Sequence, residues 1–366
     1  MKLKELNREK LKELSEHYFR IADALDHPER FKEIELDPLK IDDIRRKLLS
    51  LSREILSEGG TEETELISSC IRILGRCSIK EKELYGRIID CLIGCMNRSS
   101  IFAVEATRSL ERLADVASSD ALKENRIGDL VQLIETGDDE ASWNGAYALG
   151  RLAGKVDRDL LQGHIGRVSS AARSNTSFRK ANSISCLGKL YQYSNSSKKE
   201  EILDTLLHGV QDPDEKTRRA SIFALAECIS DGTKDRILNC FEDLLEDEAK
   251  TVKYGALEAL TEVLPYRISD KAFDEIQGFL EADEQWIRWR VALALNKAYP
   301  ELDTRQKEKA VSILKELIHD EDIFVKVRAY EALMNIKEIE KKEIPEVGKA
   351  LKEETDFVRQ WVLYFP

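Results

Sequence analysis

Apolar residues recur along the chain with a helical period and again with a period near forty residues. The segments TRRASIFAL (217–225), VKYGALEAL (252–260), IRWRVALAL (287–295) and VKVRAYEAL (325–333) share one pattern. Each begins with Thr or an apolar residue, carries Lys or Arg second and ends in Ala-Leu. Weaker copies lie upstream: LISSCIRIL (66–74), FAVEATRSL (102–110), ASWNGAYAL (141–149) and FRKANSISC (178–186). Successive frames start 35 to 39 residues apart, and a ninth starts at Val358. Self-similarity at such a period marks a repeat array rather than a set of unrelated domains.

A second amphipathic segment precedes each frame, as in EEILDTLLHGV (200–210) and RILNCFEDLLE (236–246). Short acidic turns such as QDPDEK (211–216) and EDEAK (246–250) join the two, and Asp, Pro and Glu suit a turn that opens a helix. The pattern predicts an all-α, α-α superhelix: one continuous right-handed solenoid of eight or nine helix pairs, without strands. Residues 1–60 depart from it. They predict two helices, Asn7–Leu25 and Ile41–Leu56, in an N-terminal cap or diverged repeat, with the array over 61–366. Tyr191–Lys199, YQYSNSSKK, is the most loop-like internal stretch and reads as a long inter-repeat turn. The apolar end, Trp361 to Pro366, completes the last repeat or leaves an edge for a partner.

Composition agrees with helix. The chain has 366 residues, with Gly 18, Pro 7, 34% charged and 42% hydrophobic, too few turn formers for an all-β protein and enough apolar surface for a core. No apolar run reaches the length of a membrane span and no apolar leader block opens the chain, so a cytoplasmic protein without a membrane partner is expected. The net charge of −12 lies in residues 201–366, which hold 24 basic and 36 acidic residues, while 141–200 hold 10 basic and 3 acidic. Seven cysteines, an odd number, make no disulfide framework. Cys91 and Cys95 fit zinc spacing loosely, but Cys70 and Cys77 stand two helical turns apart, so small buried residues are expected and no metal.

The repeated frames resemble HEAT repeats, especially the short HEAT-like units with D-x-x-x-x-V-R-x-x-A-x-x-A-L. The resemblance covers about 60–366 and is strongest from 205 to 335. It implies that Asp212, Asp247, Asp283 and Asp320 cap the second helix of each pair. It also implies that Arg218, Lys253, Arg288 and Lys326 reach a neighbouring repeat's Asp, a structural role in keeping with carboxylates at helix N-termini. Within such families stand scaffolds, transport receptors, a bilin lyase group, a metal hydroxylase and DNA glycosylases. None of His17, His27, His164, His208 and His319 is followed by Glu, which departs from the hydroxylase. No G-x-S-x-G, P-loop or G-x-G-x-x-G fingerprint is present either, so no catalytic residue and no cofactor is assigned. Gly145 and Gly150 fall within one helical segment, at and just past a frame, and read as close helix contacts.

Positions 1, 5, 8 and 9 of the frame are mostly apolar or small, which directs position 3 away from the core at 100° per residue. In the resembling stacks the second helices line the concave side. Position 3 then forms a stripe there: Ser68, Val104, Trp143, Lys180, Arg219, Tyr254, Trp289 and Val327. The frame at Phe178 admits a one-residue shift, so Lys180 is the least firmly placed. Position 7 flanks the stripe with Arg72, Arg108 and Tyr147, then Glu258 and Glu331, and Arg76, Arg112 and Arg151 lie two residues past their frame ends. The expected binding residues are Trp143, Lys180, Arg219, Tyr254 and Trp289, assisted by Arg108, Arg112 and Arg151. Two functions fit: a non-catalytic scaffold holding a protein or peptide partner, anchored by aromatics and Arg, or a nucleic-acid binder with a glycosylase-like groove. The acidic C-terminal repeats favour the scaffold. A plainer alternative is that the aromatics pack on helical neighbours, as Trp143 on Tyr147 at i+4.

Overall fold

Each of the eight frames lies inside one α-helix, as the 3.6-residue recurrence of its apolar positions requires. The computed structural model describes residues 52–53, 64–77, 85–96, 99–116, 122–266, 268–355, 357–358 and 361. Apart from residues 52–53, which are helical, the predicted helices and cap within 1–60 lie outside the described residues, as does the end of the chain after Trp361. In chain order the first helices are α1 (Thr64–Cys77), α2 (Tyr85–Met96), α3 (Ser100–Val116), α4 (Glu124–Thr136), α5 (Asp139–Leu152), α6 (Arg158–Ala171), α7 (Ser177–Tyr191) and α8 (Ser196–Gly209). They are followed by α9 (Glu215–Ala226), α10 (Lys234–Leu244), α11 (Lys250–Val263), α12 (Asp270–Gly278), α13 (Gln285–Ala298), α14 (Thr304–Leu317), α15 (Ile323–Glu340) and α16 (Pro345–Glu353). Among the described residues there is no strand, and no helix is long and apolar enough to cross a membrane. The loop-like stretch at 191–199 shrinks to a connection over 192–195, because Asn195 accepts from the Lys198 N–H at 2.9 Å and starts α8 at once.

The chain divides into two units, the first ending at Gly209 and the second beginning at Val210. Both follow one plan. In the first, the frame helices α1, α3, α5 and α7 pack side by side, and α2, α4, α6 and α8 form a second row. In the second, α9, α11, α13 and α15 form the frame row, with α10, α12 and α14 beside it. The small eighth position and the Leu at the ninth close the core: Ala224 and Leu225, Ala259 and Leu260, Ala294 and Leu295, and Ala332 and Leu333 are all buried. Gly145 of α5 abuts α4 so closely that a Cβ there would stand 2.7 Å from the Leu130 carbonyl and 2.8 Å from the Leu133 Cβ. Any larger residue would push the pair apart.

The frame in α7 is shifted by one residue. Seven frame helices begin two residues before their frame, but α7 begins at Ser177, one residue before Phe178. Leu187 is buried in the place of the terminal Leu, so the structural frame is 179–187. Lys180 therefore takes second place, not third, and Ala181 takes third.

The repeated Asp and Arg form rungs between successive pairs. The Arg218 guanidinium donates to both Asp247 carboxylate oxygens at 2.8 Å, and to the carbonyls of Asp212 and Pro213. Arg288 repeats this one pair later, reaching Asp320 at 2.7 and 2.9 Å and the carbonyls of Ala282 and Asp283. Lys326 continues the series to Glu354 at 3.2 Å. The capping assignment, however, moves by two residues. Asp214 and Asp322 cap α9 and α15, whereas Asp212, Asp247 and Asp320 accept the N–H two residues on and so shape the turn. Neither Ala249 before α11 nor Glu284 before α13 caps through its side chain. Each Arg thus ties its own turn's carbonyls to the next turn's carboxylate in a planar, bidentate contact that Lys cannot reproduce.

Removing one partner of such a buried pair strands the other's charge. Arg288→Ala is expected to cost about 3 kcal/mol, Asp320→Ala a similar amount, and the double variant less than their sum in urea denaturation. An additive cycle would mean that the rung carries no coupling. Acid should erode stability in two windows. Burial, then the positive charge of Arg167, lower the pKa of His164 from 6.5, and His164 Nδ1 lacks a partner. That contribution is complete above the unfolded pKa and is lost as pH falls below 6.5 through the lower folded value. Burial raises the Asp320 pKa, but the Arg288 hydrogen bond and the Asp322 N–H outweigh it and leave the carboxyl below its ordinary 3.8. This second contribution is complete above 3.8 and is lost only as pH falls through the lower folded value. Stability measured against pH in His164→Gln should lack the first window and keep the second.

Candidate interaction site

The expected binding residues divide between the units. Arg108, Arg112, Trp143, Arg151 and Lys180 stand on α3, α5 and α7 of the first, and Arg219, Tyr254 and Trp289 stand on α9, α11 and α13 of the second.

In the first unit the frame row opens into a cleft between α5 and α7. Asp138 caps α5 by accepting the Ala141 N–H at 2.9 Å, and this start places Trp143, Tyr147 and Gly150–Arg151 on successive turns of one face. Asn182, Ser185, Cys186 and Lys189 of α7 form the opposite wall. The enclosed volume is about 190 Å³. That is below the usual span of a small-molecule site, roughly 300–1,000 Å³, and suits one inserted side chain. Trp143 stacks on Tyr147 with ring centroids 5.2 Å apart and planes 11° from parallel, yet it remains 39% exposed. Packing on the helical neighbour and display to solvent are therefore both present. Gly150 keeps the floor open, since a Cβ there would meet the Lys189 Cβ at 3.2 Å.

Two cations, Arg151 and Lys189, line this cleft, and the other expected cations stand outside its lining. Arg151 pairs with Glu111 of α3 at 2.9 Å while its side chain stays half exposed. Arg108 and Arg112 are exposed on α3, one repeat away, and Lys180 is half-buried on α7 in the second frame place. The side chain of Arg76 lies outside the described residues. Cys186 is buried in the wall of the cleft, and this burial pushes its thiol up to about 12. Asn182, Ser185 and Lys189 escaped the reading from sequence because the frame in α7 was set one residue early. The Leu187 repeat terminus was the available signal.

In the second unit the third frame position differs from the expectation of an outward stripe. Arg219 is exposed, with its guanidinium 5.3 Å from the Phe223 ring centre. Tyr254 is only 8% exposed, and Val327 is buried too. The Tyr254 hydroxyl donates to Glu284 at 3.0 Å, and its ring meets Trp286 and Phe279 edge-on at 5.4 and 5.9 Å. The turn before α13 covers it. Trp289 is half-buried under Arg290 and Arg328, at 5.1 and 5.7 Å from the ring centre. Arg290 in turn bonds Glu258 and Glu262 at 3.0 Å, and Arg328 bonds Glu331 at 2.7 Å. These aromatics are committed to contacts between repeats. The open surface common to the frame helices is position 7, where Arg108 and Ser185 are exposed and Tyr147, Phe223, Glu258 and Glu331 half-exposed.

No family model matches this chain, and no curated protein matches it in sequence. Among solved structures it is similar to importin beta, with a TM-score of 0.59 and 12% identity over 94% of this chain and 53% of that one. It is also similar to Escherichia coli YibA, with a TM-score of 0.50 and 16% identity over 75% of this chain and 96% of that one. Both units have the HEAT-like α-solenoid fold. At these identities the likeness is one of fold, and the chain spans about half of importin beta.

Two outcomes follow from this geometry. Trp143→Ala should cost about 1 kcal/mol of folding stability, the loss of one aromatic stack at a partly exposed site, and a much larger loss in denaturant would place Trp143 in the core. Iodoacetamide should leave Cys186 unlabelled in the folded chain and label it in urea, as read by peptide mapping.

Proposed function

We propose that this chain is a non-catalytic protein-interaction scaffold that holds a peptide segment against the frame helices of its first unit. The observation that carries the reading is the α5–α7 cleft: an open, single-side-chain volume walled by the stacked Trp143 and Tyr147 and rimmed by Arg151 and Lys189. Rigid aromatics beside Arg are the usual energetic centres of protein interfaces, since they bury much area at little conformational cost. The cationic surroundings select the ligand's flanks. Segment 141–200, with 10 basic and 3 acidic residues, favours a peptide carrying carboxylates on either side of an apolar anchor. The HEAT-like fold supports this reading by analogy only, as such stacks supply extended faces for partners.

One observation favours a second reading. A 39% exposed tryptophan among cations is also a platform on which a base could stack. The acidic balance of residues 201–366 weighs against a long nucleic acid.

The readings separate by salt. Fluorescence anisotropy with a labelled acidic peptide bearing a central Leu or Phe, and with a labelled single-stranded oligonucleotide, tests both. Peptide binding should weaken only modestly with salt, as its flanking carboxylates are screened while the apolar anchor is not, and should weaken by about 2 kcal/mol in Trp143→Ala. Ser185→Trp, which fills the cleft from an exposed position, should abolish it. Unchanged peptide affinity in both variants would remove the cleft from the function. Preferential oligonucleotide binding that falls steeply with salt would select the second reading.

A further inference from the structure

The exposed aromatics of the second unit are not scattered. Trp286, Phe324 and Phe357 are 40, 57 and 47% exposed. Each immediately precedes the first residue of a frame, at 287, 325 and 358, so they occupy one equivalent place in three consecutive repeats. Trp286 and Phe324 are the second residues of α13 and α15. Trp361 extends the place by one turn, with its ring centre 5.8 Å from that of Phe357 and 37% of its surface exposed. In the first unit the same place holds exposed Ile101 on α3, Glu140 on α5 and half-buried Phe178 on α7, so no run of exposed rings forms there. A periodic line of exposed large rings is unlike the isolated apolar residues of an ordinary surface.

The rim carrying these rings is acidic. The side chains of Glu248 and Glu321 extend from the turns before α11 and α15 with 86 and 88% exposure, and Asp283 and Glu353 are exposed as well. Most cations at this rim are engaged: Arg218 with Asp247 and Glu248, Lys250 with Glu284, Arg288 with Asp320 and Glu321, and Lys326 with Glu354. Lys352 is exposed, and Glu248 and Glu321 keep most of their side-chain surface open beside their Arg partners. The surface presented is therefore aromatic and negative, which repels nucleic acid and attracts a cationic chain.

We infer that Trp286, Phe324 and Phe357 form a docking edge for an extended basic peptide segment with an apolar residue at every third position and Lys or Arg beside it. Spacing supports the match. Packed helices stand about 8–10 Å apart. A polyproline II segment returns the same face every three residues, or about 9 Å. Successive apolar residues of the segment then meet successive rings, while its cations meet Glu321, Glu248 and Asp283. This edge is separate from the α5–α7 cleft, and the inference does not rest on that cleft.

The test uses the full chain and a fluorescein-labelled peptide of repeating Leu-Lys-Pro triplets. A scrambled peptide of equal composition and a Leu-Glu-Pro analogue serve as comparators. The triplet peptide should bind more tightly than either. Phe324→Ser and Phe357→Ser should each weaken it roughly ten-fold, and Glu321→Lys combined with Glu248→Lys should weaken it further at low salt. Melting temperatures should change little in the two Ser variants, whose replaced side chains are exposed, whereas the Lys variants, which set a cation beside Arg288 and Arg218, are read only against their own melting temperature. Equal binding of the scrambled peptide, or unaltered affinity in Phe324→Ser, overturns the inference. So does loss of binding in Ser185→Trp but not in Phe324→Ser, which would put the peptide in the cleft. Sedimentation showing a dimer that Phe324→Ser dissociates would make a second copy the occupant and overturn it as well.

Discussion

A pair of amphipathic helices has two apolar sides and only one partner of its own, so within each unit the described pairs depend on their neighbours for burial. That constraint accounts for the frame more fully than helix propensity does. Positions 5 and 6 and positions 8 and 9 are buried in most repeats because they face neighbours on both sides. The eighth is often Ala because two frame helices must approach there. The Arg218–Asp247 and Arg288–Asp320 rungs refine the same dependence, because each joins one turn's carbonyls to the next turn's carboxylate. Where Lys253 replaces Arg, the network of Lys250, Glu284 and Tyr254 bridges the two turns instead.

How much of this was legible in the sequence follows from which forces are local. Helix class and the places of the frame helices follow from Ala-Leu periodicity, a signal carried by the residues themselves. Two of the four rungs that the resemblance implied are present, Arg218 to Asp247 and Arg288 to Asp320, while Lys326 reaches Glu354 instead of an Asp. The capping residue was not legible, because Asp212 and Asp214, or Asp320 and Asp322, offer two carboxylates to one turn and only backbone geometry decides between them. The α7 register failed for a similar reason: Phe178 is apolar and looks like a frame start, but Leu187, not Cys186, fills the terminal place.

The candidate site was legible in part. Trp143, Tyr147 and Arg151 were legible together because one helix wheel places them on one face of α5. Tyr254 was misjudged because a single wheel omits the following repeat, whose N-terminal turn lies over the ring. For the same reason the edge formed by Trp286 and Phe324 was missed: those residues fall one place before the frame, where an isolated helix suggests nothing about exposure.

Position 7 of one frame meets position 4 of the next, and the two units use that meeting with opposite polarity. Arg72 of α1 faces Glu105 of α3, whereas Glu258 of α11 faces Arg290 of α13. A repeat ending in Arg72 set before one beginning with Arg290 would oppose two cations, and the reverse exchange would oppose two carboxylates. Modules of the same outline are thus not interchangeable. The array carries its own assembly order, and recombination that shuffled repeats between the halves would yield poorly matched neighbours even with every core residue retained.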